Sequence, residues 1–361
     1  MRRGTADSTV RRQGGLRSDD KENTVTQSTL EEVSNASADY ALEAIQKYSQ
    51  AENPSSFLAV NQGNSYFTLP GRPGIVIYRP AGEYLVQFGG PFAPEESYTD
   101  LMEAFAEFTA AQGRKLAAIQ LQLHDARIHA RHGYTVNQVG ASYAVDLSTF
   151  TVAGTRYMQL RNKISRALRA GLTIVEADYE QWQDGVTAID RRWLPLKGEG
   201  ARPLEYLVGQ TGGAMQKHRR LFVGHIDGEP IGYVSYSPVY GTNPGWMHDL
   251  SRRIPESPAG VMEAINKAAI DTFSAEGVPW LHFGFTPFTS LTEDREVTGH
   301  SLGFKWLMHY LWDNQVVYPA SSQLAYKDKW NPTLVTTEYA AFPEQASAEG
   351  FVNIWRAANA M

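Results

Sequence analysis

The hydrophobic positions of this chain change period repeatedly, and each change marks an element. Over residues 39–48, Tyr40, Ala41, Ala44, Ile45 and Tyr48 fall on one helical face, which predicts an amphipathic helix. Apolar runs at 66–69, 74–78 and 84–88 are separated by Pro70-Gly71 and Pro80-Ala81-Gly82 and closed by Gly89-Gly90-Pro91, the pattern of three strands and their turns. A helix over 95–112, a buried strand over 116–121, a turn at Gly133-Tyr134 and a strand over 141–147 complete a first α/β unit. The plan then repeats. A helix at 155–170, a strand at 172–176 and a helix at 179–193 lead to a hairpin of 221–226 and 231–238 across Asp227-Gly228. A strand at 246–250, a helix at 261–273 and a strand at 280–285 follow. Because hairpins interrupt the alternation, the order is not that of a doubly wound dinucleotide fold. It predicts an α/β protein of two similar lobes with mixed central sheets, at 38–150 and 151–361. Residues 1–37 offer almost nothing to bury and read as a disordered tail.

Composition narrows the chemistry. The 361 residues are 42% hydrophobic and 20% charged, the balance of a soluble globular protein. The chain has no cysteine, which removes disulfides, thiolate zinc sites and cysteine nucleophiles together. Its nine histidines form no HExxH or HxH pair, so no metal is expected. No apolar run approaches the roughly 20 residues that span a bilayer, and the first residues carry charge without an apolar stretch behind it. A cytoplasmic location is expected. A net charge of −6 argues against wholesale coating of nucleic acid but permits a local basic face.

Residues 246–260 carry the densest chemistry. Asp249, Arg252 and Arg253 leave a strand and enter a proline-rich turn before the apolar helix at 261–273. A strand end feeding a helix N-terminus presents backbone N–H groups to a ligand. Asp249 could grip a substrate ammonium and Arg252 a phosphate or carboxylate, the plainer alternative being a surface ion pair. His248 reads either as a proton shuttle or as a packed strand histidine. A second feature is the helix carrying Arg161, Lys163, Arg166 and Arg169, with no acid among them. Leu160, Ile164 and Leu168 form its expected buried stripe, leaving the basic row to neutralise phosphates or simply to face solvent. Arg219 and Arg220, in the run Lys217-His218-Arg219-Arg220, add to a polyanion-binding reading. Lys327 and Lys329 stand two apart, where an extended segment would place them on one face. The lobe order also suits an acetyl-CoA-dependent N-acetyltransferase. In the loop from Arg252 to Gly260, however, two prolines remove N–H donors and Glu256 puts negative charge where a pyrophosphate would sit.

Four stretches together resemble the C-terminal catalytic domain of the phosphatidylglycerol lysyltransferase family. Phe88-Gly89-Gly90-Pro91 through Glu95-Glu96 is similar to that family's Gly-Asp-Pro turn and helix. Val139-Gly140 through Asp146-Leu147-Ser148-Thr149-Phe150, Gly154 and the helix with Arg161 and Arg166 are similar to its lobe junction. Asp249-Leu250-Ser251-Arg252, then Pro255, Pro258, Gly260 and Met262, resembles its Asp-Leu-Met-Arg signature, with Ser251 in place of Met. Tyr326-Lys327-Asp328-Lys329-Trp330-Asn331-Pro332 resembles its Phe-Lys-x-Lys-Phe-x-Pro ending. A Gly-Glu step expected before the last segment is not evident near Asp313-Asn314-Gln315.

The resemblance implies tandem acetyltransferase-like (GNAT) lobes that use aminoacyl-tRNA as co-substrate, with no further cofactor. Asp249 and Arg252 would then be catalytic, and Arg253, His248, Lys327 and Lys329 would bind substrate. Arg161, Lys163, Arg166, Arg169, Arg219 and Arg220 would contact tRNA. Membrane members carry a multi-span N-terminal half, and this sequence is expected to hold no such apolar spans. That points to the soluble branch typified by the valanimycin-pathway seryltransferase, with a small amine, hydroxylamine or hydroxyl compound as acceptor. The alternatives are a lipid aminoacyltransferase docking peripherally on membrane and a non-catalytic binding protein on the same fold.

Overall fold

The computed structural model describes residues 36–49, 53–198, 200–315 and 317–361, so the tail expected over 1–37 lies almost wholly outside the described residues. The first half runs α1 (Ala38–Tyr48), β1 (Ser65–Leu69), β2 (Arg72–Ala81), β3 (Tyr84–Phe92), α2 (Glu95–Ala111), β4 (Lys115–Leu121), α3 (Leu123–Arg131) and β5 (Thr135–Asp146). The second opens with α4 (Met158–Arg169), β6 (Thr173–Ala177), α5 (Tyr179–Trp193), β7 (Arg220–Ile226), β8 (Glu229–Val239) and β9 (Gly245–Arg253). It closes with α6 (Val261–Ala275), β10 (Trp280–Pro287), α7 (Leu302–Asn314), α8 (Ala320–Asp328), β11 (Leu334–Phe342) and α9 (Ala348–Ala357).

Among the described residues eleven strands join one mixed sheet in the order β1-β2-β3-β4-β11-β5-β10-β9-β8-β7-β6. Each lobe has antiparallel strands leading to one parallel pair, β3 with β4 and β9 with β10. At the centre the halves exchange their last strands: β5 pairs antiparallel with β10, and β11 inserts between β4 and β5. The two lobes are therefore not cleanly separated by a cut at residue 150. Phe342, Phe351, Ile354 and Trp355, from the chain's end, share one buried cluster with Ile75, Ile77 and Val86 of the first half. Burying each such side chain contributes about 1.5–3 kcal/mol, so the C-terminal segment stabilises the first lobe.

Two local departures bear on the site. On α4 the buried stripe is Leu160 and Ala167, while Leu168 is 48% exposed. The helix is rotated by its crossing with α6, where Gly260 lies against the Lys163 carbonyl so closely that a Cβ would come within 2.1 Å of its oxygen. Residues 320–328 are helical and not extended, and α8 packs against β10 before β11 begins, so Lys327 and Lys329 do not share the face of an extended segment.

Candidate functional site

The parallel pairing of β9 with β10 covers only Gly245–Trp280, Trp246–Leu281 and Met247–His282. Beyond it the strands part, and each carries a bulge: Asp249 is the extra residue on β9 and Phe283 on β10. Bulges bend a strand and re-aim its side chains, which opens the sheet here. A cavity of about 560 Å³ occupies the opening. Its cationic side is formed by Lys163, Arg252, Arg253, Lys327 and Lys329, and its apolar side includes Leu58, Leu204, Leu207, Val208 and Phe285. The apolar side is fixed in place, since Asn61 Nδ2 donates to the Val208 carbonyl (2.9 Å) and the Tyr206 hydroxyl donates to the Val86 carbonyl (2.6 Å).

Asp249 and Arg252 both line the cavity but are not partners. The Asp249 carboxylate is fully buried, lies 3.8 Å from Arg219 Nε and is covered by Gly209, where a Cβ would come within 2.4 Å of its carboxyl carbon. Burial pushes its pKa up to about 6, against the opposing pull of Arg219 and of Ser237 and Ser235. In this arrangement the carboxylate cannot grip a substrate ammonium in the way its position in the chain suggests. Arg252 is held by Asp190 Oδ2 at 2.7 Å with its guanidinium 4.7 Å above the Trp193 ring, so it enters the cavity as a fixed cation. Arg253 is exposed at the rim and donates to Ser257 Oγ.

Lys327 is buried at the cavity floor. Its Nζ donates to the Gly284 and Phe285 carbonyls (2.6 and 3.1 Å), and burial lowers its pKa to about 7 despite the favourable charge of Glu338. Glu338, fully buried on β11, accepts from Ser142 Oγ, and burial raises its pKa to about 7 against Ser142, Lys327 and Gln122. Lys329 reaches a different acid. Its Nζ donates to Glu263 Oε1 at 2.9 Å, and Lys163 stands 3.5 Å from the same oxygen. Burial opposes ionisation of Glu263, but Lys329, the residue's own backbone N–H and Lys163 outweigh it and hold the pKa below the usual range.

Glu263 lies in the first turn of α6, the seat an anionic ligand would favour. The carboxylate that occupies the anion seat is thus Glu263, while Glu256 is on the surface, paired with Arg192 at 2.6 Å.

The basic residues separate into two groups. Arg166 and Arg169 are exposed and form no salt bridge among the described residues, and Lys163 faces both solvent and Glu263. Arg161 donates to the Val152 and Gly154 carbonyls, tying down the loop before α4. Arg219 is not a surface cation: its side chain is fully buried against Asp249, Asn61 and the Phe57 ring, so no phosphate backbone can reach it. Arg220 is clasped by Glu176 and Glu276 over the Phe273 and Trp246 rings, which neutralises the charge a polyanion would need. His248 lines the cavity and is engaged by Asn266. Asp313 and Asn314, where an acid had been sought, sit on the exposed end of α7. The acids that sequence reasoning missed are Asp190, Glu263 and Glu338. Glu263 was detectable as an acid in the first turn of an expected helix.

Among the described residues no group of acids and histidines is placed to hold a metal ion. A family profile described as "Phosphatidylglycerol lysyltransferase, C-terminal" matches residues 43–342. The phosphatidylglycerol lysyltransferase of Staphylococcus epidermidis is 25% identical over 229 residues, covering 61% of this chain and 26% of that protein. That of Bacillus subtilis is 23% identical over 275 residues, covering 74% of this chain and 31% of that protein. The chain thus spans about a quarter to a third of these relatives' length. Among solved structures, L-PGS from Bacillus licheniformis superposes with a TM-score of 0.70 at 19% identity, over 88% of this chain and 95% of that one. The C-terminal domain of a putative lysylphosphatidylglycerol synthetase from Agrobacterium fabrum gives 0.69 at 19% identity, over 89% and 95%. These likenesses speak to the fold.

Proposed function

We propose that this chain, which belongs to the phosphatidylglycerol lysyltransferase C-terminal family, moves an amino acid from aminoacyl-tRNA to the headgroup of a phospholipid. The observation that carries the reading is the cavity at the parting of β9 and β10, with five cationic side chains on one side. An aminoacyl ester is already activated, so the protein's work is to hold the donor's terminal phosphates, align the acceptor hydroxyl and exclude water. Arg252 and Arg253 suit the phosphates, and Arg166 and Arg169 extend the basic surface along α4. Glu263 in the α6 anion seat disfavours the pyrophosphate of CoA and so supports a different acyl donor.

The lipid acceptor is preferred to a small-molecule acceptor because the named relatives are phosphatidylglycerol lysyltransferases. Among the described residues no helix is long and apolar enough to cross a membrane, so the lipid would be met at a bilayer surface. The test is to incubate the protein with pooled radiolabelled aminoacyl-tRNAs and phosphatidylglycerol vesicles. Label moving into the organic phase is expected. Label in a water-soluble product from added amines would return the acceptor to the small-molecule class, and label remaining on tRNA throughout would remove the transferase reading.

A further inference from the structure

His248 lines the cavity beside the bulge at Asp249, yet holding phosphates and orienting a lipid leave it without a task. Its surroundings are built around one orientation. Asn266 Oδ1 accepts from the Tyr236 hydroxyl at 2.6 Å and from His248 Nδ1 at 3.1 Å, and both Asn266 and Tyr236 are fully buried. The rings of Tyr236, Phe283 and Tyr326 surround the imidazole at 5.6, 6.0 and 5.8 Å between centroids. With Nδ1 donating to Asn266, Nε2 is the nitrogen with a lone pair and no protein partner among the described residues. A nucleophile's base oriented by a third group is the arrangement that acyl transfer uses on unrelated folds.

We propose that His248 is the general base of the transfer and that Asn266 and Tyr236 position it; this rests on the aminoacyltransferase reading. As the acceptor hydroxyl oxygen bonds to the ester carbonyl carbon, its proton passes to His248 Nε2. When the tetrahedral intermediate collapses, the bond from that carbon to the ribose oxygen breaks, and the same proton passes from His248 to the departing oxygen. No oxidant, reductant or further reactant is required. Burial and the nearby Lys327 charge keep the imidazole neutral through the physiological range, so its lone pair is available to the hydroxyl.

The test is single-turnover transfer from saturating aminoacyl-tRNA to phosphatidylglycerol vesicles. His248→Ala is expected to slow transfer by about 100-fold or more, to bind aminoacyl-tRNA as the wild type does, and to regain at least about tenfold when imidazole is added. His248→Gln retains a donor to Asn266 and much of the ring's volume; it is expected to unfold at the wild-type midpoint and to be as slow as His248→Ala. Asn266→Ala, a positioning variant, is expected to slow transfer by about tenfold with no response to imidazole. Transfer by either His248 variant within about threefold of the wild type overturns the assignment, and so does a loss in His248→Ala that imidazole fails to restore. Absence of transfer by the wild type from every tRNA overturns the transferase reading and this inference with it.

Discussion

The two lobes use the same parallel strand pair to opposite ends. In the first, β3 and β4 stay paired over five positions, from Tyr84–Lys115 to Phe88–Ile119, and the region past them is filled. Gly90 lies so close to the Tyr98 hydroxyl and the Asp125 carboxylate that a Cβ would come within 2.1 and 2.2 Å of them. Tyr98 donates to Asp125 Oδ1 at 2.6 Å, and Asp125 also caps α3 through the Gln122 N–H, so side chains of α2 and α3 seal the place where a ligand would enter. In the second lobe β9 and β10 separate after three pairs, two bulges widen the gap, and charged side chains converge on the space. An α/β unit of this kind is a scaffold when a hydrogen-bonded plug fills its crevice and a candidate site when bulges hold the crevice open.

The largest effect in breaking this contrast belongs to the buried pair behind the open crevice. Asp249→Ala leaves the buried Arg219 without its opposite charge, with only Asn61 and the Phe57 ring against it, and a loss of about 3–5 kcal/mol is expected in urea unfolding. Asp249→Asn should lose less, since it keeps the side chain's volume and a polar oxygen facing the arginine. If Asp249→Ala unfolds at the wild-type midpoint, the pair is not holding the floor of the crevice.

Acid sensitivity should have one source in the second lobe. His282, buried on β10 with Nε2 donating to the Asn243 carbonyl, has its pKa lowered to about 4 by burial, against that hydrogen bond. Its folded pKa lies below the unfolded value, so the unfolded chain binds the extra proton first. The stability involved is present above pH 6.5 and is lost as pH falls toward 4, up to about 3 kcal/mol in all. Asp249, whose pKa is raised, acts in the opposite sense between its unfolded value near 3.8 and about 6. His282→Gln should therefore flatten the acid side of the stability curve, and an unchanged slope would assign that sensitivity elsewhere.

In the first lobe, Gly90→Ala overpacks the plug and is expected to cost about 1–3 kcal/mol, with no change in affinity for aminoacyl-tRNA. A change in that affinity would mean that the filled crevice takes part in binding. The smallest expected effect is electrostatic. Replacing Arg166 and Arg169 by Glu should weaken tRNA binding and reduce the slope of log affinity against log salt by roughly two. The same change at Arg220, already matched by Glu176 and Glu276, should leave that slope almost untouched.

Much of this contrast was legible in the chain. Periodicity placed both hairpin systems, both long helices and the strand at 246–250, and four short motifs pointed to the family. Its limits have physical causes. Strand β11 reads Leu-Val-Thr-Thr-Glu-Tyr-Ala-Ala-Phe, without the alternation of a half-buried strand, because it lies at the centre of the sheet between β4 and β5. The short helix α3 spans nine residues with too few apolar positions to show a stripe, and its N-terminus is held by Asp125 accepting from the Gln122 N–H.

At the site, the sequence grouped Asp249 with Arg252 because they are three residues apart. The bulge turns one toward Arg219 and leaves the other with Asp190, partners distant in sequence and invisible to local spacing. Arg219 and Arg220 look alike as neighbouring bases, yet one is buried under Asn61 and Phe57 and the other is stacked on aromatic rings at the surface. Burial separates them, and local composition does not encode it.

The central claim is that the second lobe's crevice is where the amino acid leaves the tRNA. It is tested most directly by blocking that crevice without touching a charged residue. Leu207, on the apolar side of the cavity, can be replaced by Trp, with Tyr98→Phe in the sealed crevice of the first lobe as the matched control. Single-turnover transfer of labelled amino acid from tRNA to phosphatidylglycerol is then compared across wild type, Leu207→Trp and Tyr98→Phe, each checked by its unfolding midpoint. The account predicts that a folded Leu207→Trp protein loses transfer by at least about 100-fold while Tyr98→Phe retains it, losing only about 1–2 kcal/mol of stability. Equal transfer by all three proteins would contradict it.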